Sequence, residues 1–100
     1  MDLAANRCEL TACIAERKAL RYTPAGIPAL NMTLEHASDV MEAGQARQIK
    51  ASLRAVALGS LAERLGAQAI GSVWCFTGFL ATPRNGKHVQ LHIQEFGPNH

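Results

Sequence analysis

The residues best suited to chemistry in this chain are its cations. Lys50 and Arg54 lie four apart within Gln48-Ile49-Lys50-Ala51-Ser52-Leu53-Arg54, where apolar and polar residues alternate. That alternation sets both on the wet face of a strand, about 13 Å apart. Arg84 and Lys87 flank Asn85-Gly86, with His88 next in line. Asn-Gly favours a tight reversal, because both residues tolerate positive φ. Arg47 precedes the Lys50 strand, and Arg17, Lys18 and Arg21 stand near the end of an earlier one. Fixed cations of this kind neutralise the phosphates of a polyanion, a contact that is salt-sensitive and carries little sequence preference. The same residues also describe a solvated strand face and hairpin tip, and the pattern alone leaves both readings open.

Enzyme chemistry has less footing. The eight Asp and Glu residues are scattered and form no obvious acid–base pair. There is no Gly-rich phosphate cradle and no metal motif, and nothing places a base beside a Ser or Cys. His88 and His92 read as strand residues about 13 Å apart, too far to chelate one ion as a pair. His36 is assigned no chemistry. The expectation is a binding protein that is not an enzyme and uses no cofactor. Three cysteines, an odd number with no Cys-x-x-Cys spacing, read as buried free thiols of an intracellular, cytoplasmic protein. Cys8 and Cys13 fall on opposite faces of one strand and are not expected to pair. No apolar run approaches the roughly 20 residues of a membrane span, and the N-terminus lacks a signal layout. A net charge of +2 permits nucleic-acid contact without demanding it.

These cations must be held by strands. One hundred residues, 48% of them hydrophobic but only five aromatic, make one domain with an aliphatic core. Residues 7–15 alternate as a first strand, which Leu20-Arg21-Tyr22 extends past a bulge or kink. Thr23-Pro24-Ala25-Gly26 is a turn. Residues 27–35 form a second strand with Leu30, Met32 and Leu34 inward. Residues 37–46, small, polar and acidic, read as an exposed, mobile loop. Residues 48–58 form a third strand, with Ile49, Ala51, Leu53 and Ala55 on the face opposite Lys50. Ser60 and Glu63 have the spacing of a capping box, starting a short helix that Gly66 ends. Residues 71–96 then make a hairpin around Asn85-Gly86, with Val89, Leu91 and Ile93 inward. Trp74 and Phe76 are expected in the core. Tyr22 and Phe79 fit either a dimer seam or a binding face. The order is all-β, that of an OB-fold: a five-stranded Greek-key barrel with a short helix between strands 3 and 4. The core is expected over about 6–96, with a short flexible tail at 97–100.

Several stretches in this order resemble the PriB family, small relatives of the bacterial single-stranded DNA-binding protein. They are Asn6-Arg7, Thr23-Pro24-Ala25-Gly26-Ile27-Pro28, Leu34-Glu35-His36, Glu42-Ala43-Gly44, Arg47-Gln48, Gly71-Ser72, Gly78-Phe79 and Asn85-Gly86. Leu58-Gly59-Ser60-Leu61-Ala62-Glu63 is closer to the single-stranded DNA-binding protein pattern. The resemblance spans about residues 6–96. It implies an OB-fold homodimer, with no membrane partner, that binds single-stranded DNA, touches the restart helicase and helps assemble the other primosome proteins. Its matching strand faces DNA, which brings Arg47, Lys50 and Arg54 forward, with Arg84, Lys87 and His88 at the hairpin and Arg17, Lys18 and Arg21 behind them. Positions matching Gln45 and Lys50 hold base-stacking aromatics in the family, and neither is aromatic here. The loop around Arg84 and Lys87 also looks shorter and less basic than its family counterpart. The reading is weak, non-specific binding to single strands. A protein–protein adaptor with little intrinsic DNA affinity is the alternative. Antiparallel pairing through the first strand is the expected dimer contact.

Overall fold

The alternating segments form strands, and their partners close them into a ring. The computed structural model describes Met1 and residues 3–98; Asn99 and His100, part of the expected tail, lie outside the described residues. The elements are β1 (Cys8–Arg17), β2 (Arg21–Tyr22), β3 (Pro28–Glu42), β4 (Gln45–Leu58), α1 (Ser60–Gly66), β5 (Val73–Ala81) and β6 (Gln90–Gly97). The sheet order is β1-β5-β6-β4-β3-β2, and β1 also pairs with β3. Five strands therefore close on themselves, while the short β2 lies along β3. All neighbours are antiparallel except β4 and β6, which run parallel through Ala55–Leu91, Val56–His92 and Ala57–Ile93. This is the Greek-key barrel of the OB-fold. The helix follows the third long strand, and so falls between β4 and β5 once β2 is counted.

Register decides what is inside. Leu30–Ala57, Met32–Ala55 and Leu34–Leu53 pair across β3 and β4 and point inward. Leu91, Ile93 and Phe76 meet them from β5 and β6, and Leu65 closes the end from α1. Ile14, Leu30, Leu34, Leu65, Phe76 and Leu91 are the largest fully buried side chains. Trp74 packs edge-on against Phe96, with centroids 5.2 Å apart, so Trp74 and Phe76 both belong to the core. A bulge between Ile14 and Glu16 bends β1, where the alternation breaks. A second register shift follows Thr77: Thr77 opposes Glu95, but Gly78 opposes Ile93. There the strands approach so closely that any Cβ at Gly78 would collide with the His92 carbonyl.

Several local expectations are corrected. Residues 37–46 are not a loop. β3 and β4 stay in register as far as Glu42–Gln45, and only Ala43-Gly44 turns. Both have positive φ, 53° and 79°, as a two-residue hairpin of this twist requires. Beyond the barrel the ribbon is wet on most of its surface, so Ile49 and Ala51 are exposed although they continue the inward row. Neither Asn85 nor Gly86 takes positive φ. Instead the Gly86 amide donates to the Pro83 carbonyl (3.0 Å) inside an eight-residue connection, 82–89. Val89 falls in that connection and is exposed. The capping box does not form: Gly59 (φ 74°) is the N-cap, Ser60 is already helical, and no side chain caps the helix N-terminus. Finally, the three cysteines are free but half-buried rather than fully buried. Gly97 ends β6, so the final strand reaches into the expected tail. No helix among the described residues is long and apolar enough to cross a membrane.

Candidate nucleic-acid interface

The residues between the inward pairs face outward. Asn31–Val56, Thr33–Arg54, Glu35–Ser52 and Ala37–Lys50 are outward pairs of β3 and β4. Across the sheet, Val56 opposes His92 and His92 opposes Phe79, while Gln90 opposes Ala81. Two cross-strand rows result. One runs Asn31, Val56, His92, Phe79. The other holds Thr33 and Arg54 with Gln90 beside them.

Arg54, Lys18 and Arg17 line one groove of about 350 Å³, with Glu16, Thr33 and Gln90 among its other walls. Lys18 is held there by its backbone amide, which donates to the Asn31 carbonyl (2.9 Å). The connection carrying Arg84, Lys87 and His88 leaves at Ala81 and returns at Gln90, on the groove wall, and all three side chains are exposed. His88 therefore lies outside β6, and the strand spacing to His92 does not apply. Because β4 and β6 run parallel, the start of β6 and the ribbon half of β4 extend toward the same end of the barrel. Lys50 lies on that ribbon, exposed and outward like Arg54. Arg47 lies near its tip, where it forms an ion pair with Glu42. Both partners are exposed, so the pair contributes little and leaves Arg47 able to exchange it.

Two residues of the candidate set are otherwise engaged. The Arg17 guanidinium donates to the carbonyls of Leu65 (3.3 Å) and Gln68, at the C-terminal end of α1. A cation there adds a charged donor to carbonyls at the helix end, where Leu65 also accepts from the Gln68 amide (3.1 Å). Its charge is directed at the helix end rather than outward. Arg21 remains exposed, but its Nε donates to Asn31 Oδ1 (3.0 Å), at the edge of the first row. The structure thus brings Lys18 and Arg54 to one groove, returns the connection that carries Arg84, Lys87 and His88 to the groove wall at Gln90, and leaves Lys50 and Arg47 on the ribbon.

Two features went unread, and the sequence leaves Phe79 open between a dimer seam and a binding face. Phe79 and His92 stack on the outer face, centroids 4.9 Å apart and planes 14° from parallel. His36, given no role, ties the base of the ribbon to β1: Nδ1 lies 2.5 Å from the Thr11 carbonyl and Nε2 2.8 Å from Ser38 Oγ. The Asn6 side chain acts as an extra strand residue, accepting from the Leu80 amide (2.9 Å) and donating to its carbonyl (2.8 Å). Only its matching polar groups at one position hinted at that. The β3 register on β1 starts at Cys13, whereas the β5 register runs from Cys8. Beside this edge lies a groove of about 840 Å³ between Thr11–Cys13 and the ribbon residues His36 and Lys50. Among the described residues no cluster of three or more His, Cys, Asp or Glu is placed to hold a metal ion.

Comparison with known proteins agrees with this geometry. A family model described as another single-strand binding protein family matches residues 6–95. The replication restart protein PriB of Bordetella pertussis is 44% identical over 91 residues, covering 90% of this chain and 85% of that protein. The PriB of Nitrosomonas europaea is 32% identical over 90% of this chain and 84% of its own length. Among solved structures, PriB from Ralstonia solanacearum superposes with a TM-score of 0.87 at 40% identity, covering 97% of this chain and all of that one. The single-stranded DNA binding protein of Thermus aquaticus superposes at 0.76 with 25% identity, over 96% of this chain and 50% of its own. With its barrel order and these relatives in agreement, the chain belongs to the PriB family of replication restart proteins, within the single-strand-binding protein family.

Proposed function

We propose that this chain binds single-stranded DNA across the outer face of β3, β4 and β6 and serves replication restart. The observation that carries the reading is the convergence of Lys18 and Arg54 in one groove, walled by Gln90 where the Arg84–His88 connection enters. OB-folds bind oligonucleotides on this strand face and between the loops at its margins. The cations reach phosphates rather than base edges, so binding is weak, salt-sensitive and indifferent to sequence. Arg17 drops out of the contact set, and Arg21 stays as a marginal member. In this reading the protein has no catalytic role, takes no cofactor and works in the cytoplasm.

The finer proposal is that it bridges DNA, the restart helicase and helicase-loading factors as a homodimer. The groove beside β1 supports the dimer, since a second copy of β1 would extend the sheet where β3 turns away. A protein–protein adaptor with little DNA affinity is the competing reading. It is favoured by one observation: Gln45 and Lys50 on the exposed ribbon offer no aromatic ring. Anisotropy of labelled oligo-dT at two salt concentrations separates the two. The DNA reading expects binding that falls steeply with salt. Absence of binding at low salt would leave the adaptor, to be tested against the restart helicase.

A further inference from the structure

The Phe79–His92 stack stands in the outer row beside Val56, which is buried opposite His92. Its two residues oppose each other directly on β5 and β6 and are both half-buried. Their buried neighbours Gly78, Leu91 and Ile93 face inward, so the stack stands on the other side of the sheet. Of five aromatic residues, Trp74, Phe76 and Phe96 lie in or against the core. Tyr22 is 64% exposed but lies on the two-residue β2, paired with Pro28 at the sheet edge and away from the β5–β6 pair. Phe79 is therefore the aromatic residue that β5 presents beside the β4–β6 seam, and His92 stacks against its ring. The backbone on either side is fixed, by the close approach of Gly78 to His92 and by Asn6 on Leu80. The row that carries the stack is two residues, about 6.5 Å, from the row of Arg54 and Gln90 along the strands.

We propose that the Phe79–His92 stack is a base-stacking platform, on which an unpaired nucleobase sits while the phosphates of its strand follow the groove of Lys18 and Arg54. The inference rests on the single-strand reading above and adds to it what the cations cannot supply. Cations bind any polyanion, whereas a ring selects bases whose faces are open. A single strand has such faces and a duplex has covered them. The platform is preorganised, so little ordering of protein is needed when a base arrives.

The test compares labelled oligo-dT with an abasic strand of equal length and charge, using wild type, Phe79→Leu and Phe79→Trp. Leucine keeps the apolar contact and removes the π face. Wild type is expected to prefer oligo-dT by about tenfold or more, the scale of one stacked base. Phe79→Leu is expected to lose that preference, with its affinity for the abasic strand and its salt slope unchanged. Phe79→Trp is expected to keep the preference and to gain fluorescence quenching with oligo-dT that neither wild type nor the abasic strand shows. Wild type that binds both strands equally, or Phe79→Leu that keeps the preference, overturns the platform and leaves the cationic face standing. Wild type that binds neither strand at low salt overturns both. Should Phe79→Leu fail to fold, absence of quenching in Phe79→Trp overturns the platform by itself.

Discussion

Arg54 and Arg17 both line the groove, but Arg54 is exposed and without a hydrogen-bond or ion-pair partner among the described residues, whereas Arg17 directs its guanidinium to carbonyls at a helix end. The two arginines therefore predict opposite phenotypes. Arg54→Ala is expected to weaken oligo-dT binding and to lower the magnitude of the salt slope by about 0.7, the share of one phosphate on a single strand. Its stability should be unchanged in urea titration. Arg17→Ala is expected to cost roughly 1–2 kcal/mol in the same titration, since it strips hydrogen bonds from helix carbonyls, and to leave the salt slope alone. Gly78 is a third residue with a forced identity. Gly78→Ala should destabilise by more than about 3 kcal/mol, because the obstruction is backbone and cannot rotate away. The sequence made the cations legible as a class. It did not sort them, because Arg17 finds its partners about fifty residues away, at Leu65 and Gln68.

At the level of elements, the β3–β4 ribbon shows how solvent erases a pattern. Where β3 and β4 cover the core, Leu30, Met32, Leu34 and Ala55 mark the inward face and the strands can be read. Past His36 the ribbon has water around it, so Ser38, Asp39, Gln48 and Ala46 suffice and no alternation is imposed. Ladder hydrogen bonds hold such a segment without leaving a hydrophobic trace. The turn supplies a direct check. Ala43 sits at φ 53°, a conformation that costs an L-residue with a Cβ about 1–2 kcal/mol. Ala43→Asn should relieve part of that, and hydrogen exchange should show slower opening of the ribbon amides. In the unsubstituted protein the same experiment should find those amides protected, though less than those of the barrel. A mobile loop would show none. The final hairpin was legible in its strands for the converse reason: Leu91 and Ile93 are buried and their neighbours are not. Its turn was misread because Asn85-Gly86 lies in an eight-residue connection, where Pro83 sets the bend.

For the whole molecule, the β1 edge and the groove beside it predict self-association. Sedimentation at micromolar concentration should show a species of twice the 10.8 kDa chain mass. A proline at Leu10, placed on the β1 segment where only β5 has a register, tests the contact. Leu10→Pro is expected to shift the population toward monomer, provided circular dichroism shows the barrel intact; a dimer that survives places the seam elsewhere.

The short parallel seam between β4 and β6 has a consequence in time. Hairpins such as β3–β4 form from neighbouring segments, but the seam joins residues 55–57 to residues 91–93. Contacts so distant in sequence are slow to find, since the intervening loop must be closed before they reward it. During synthesis, the ribbon and its cations are complete well before β6 exists. Until β6 arrives, β4 keeps a bare edge, and the nascent protein is an open sheet exposed to mispairing. Ring closure, rather than strand formation, is then the step at which the chain is committed to its fold.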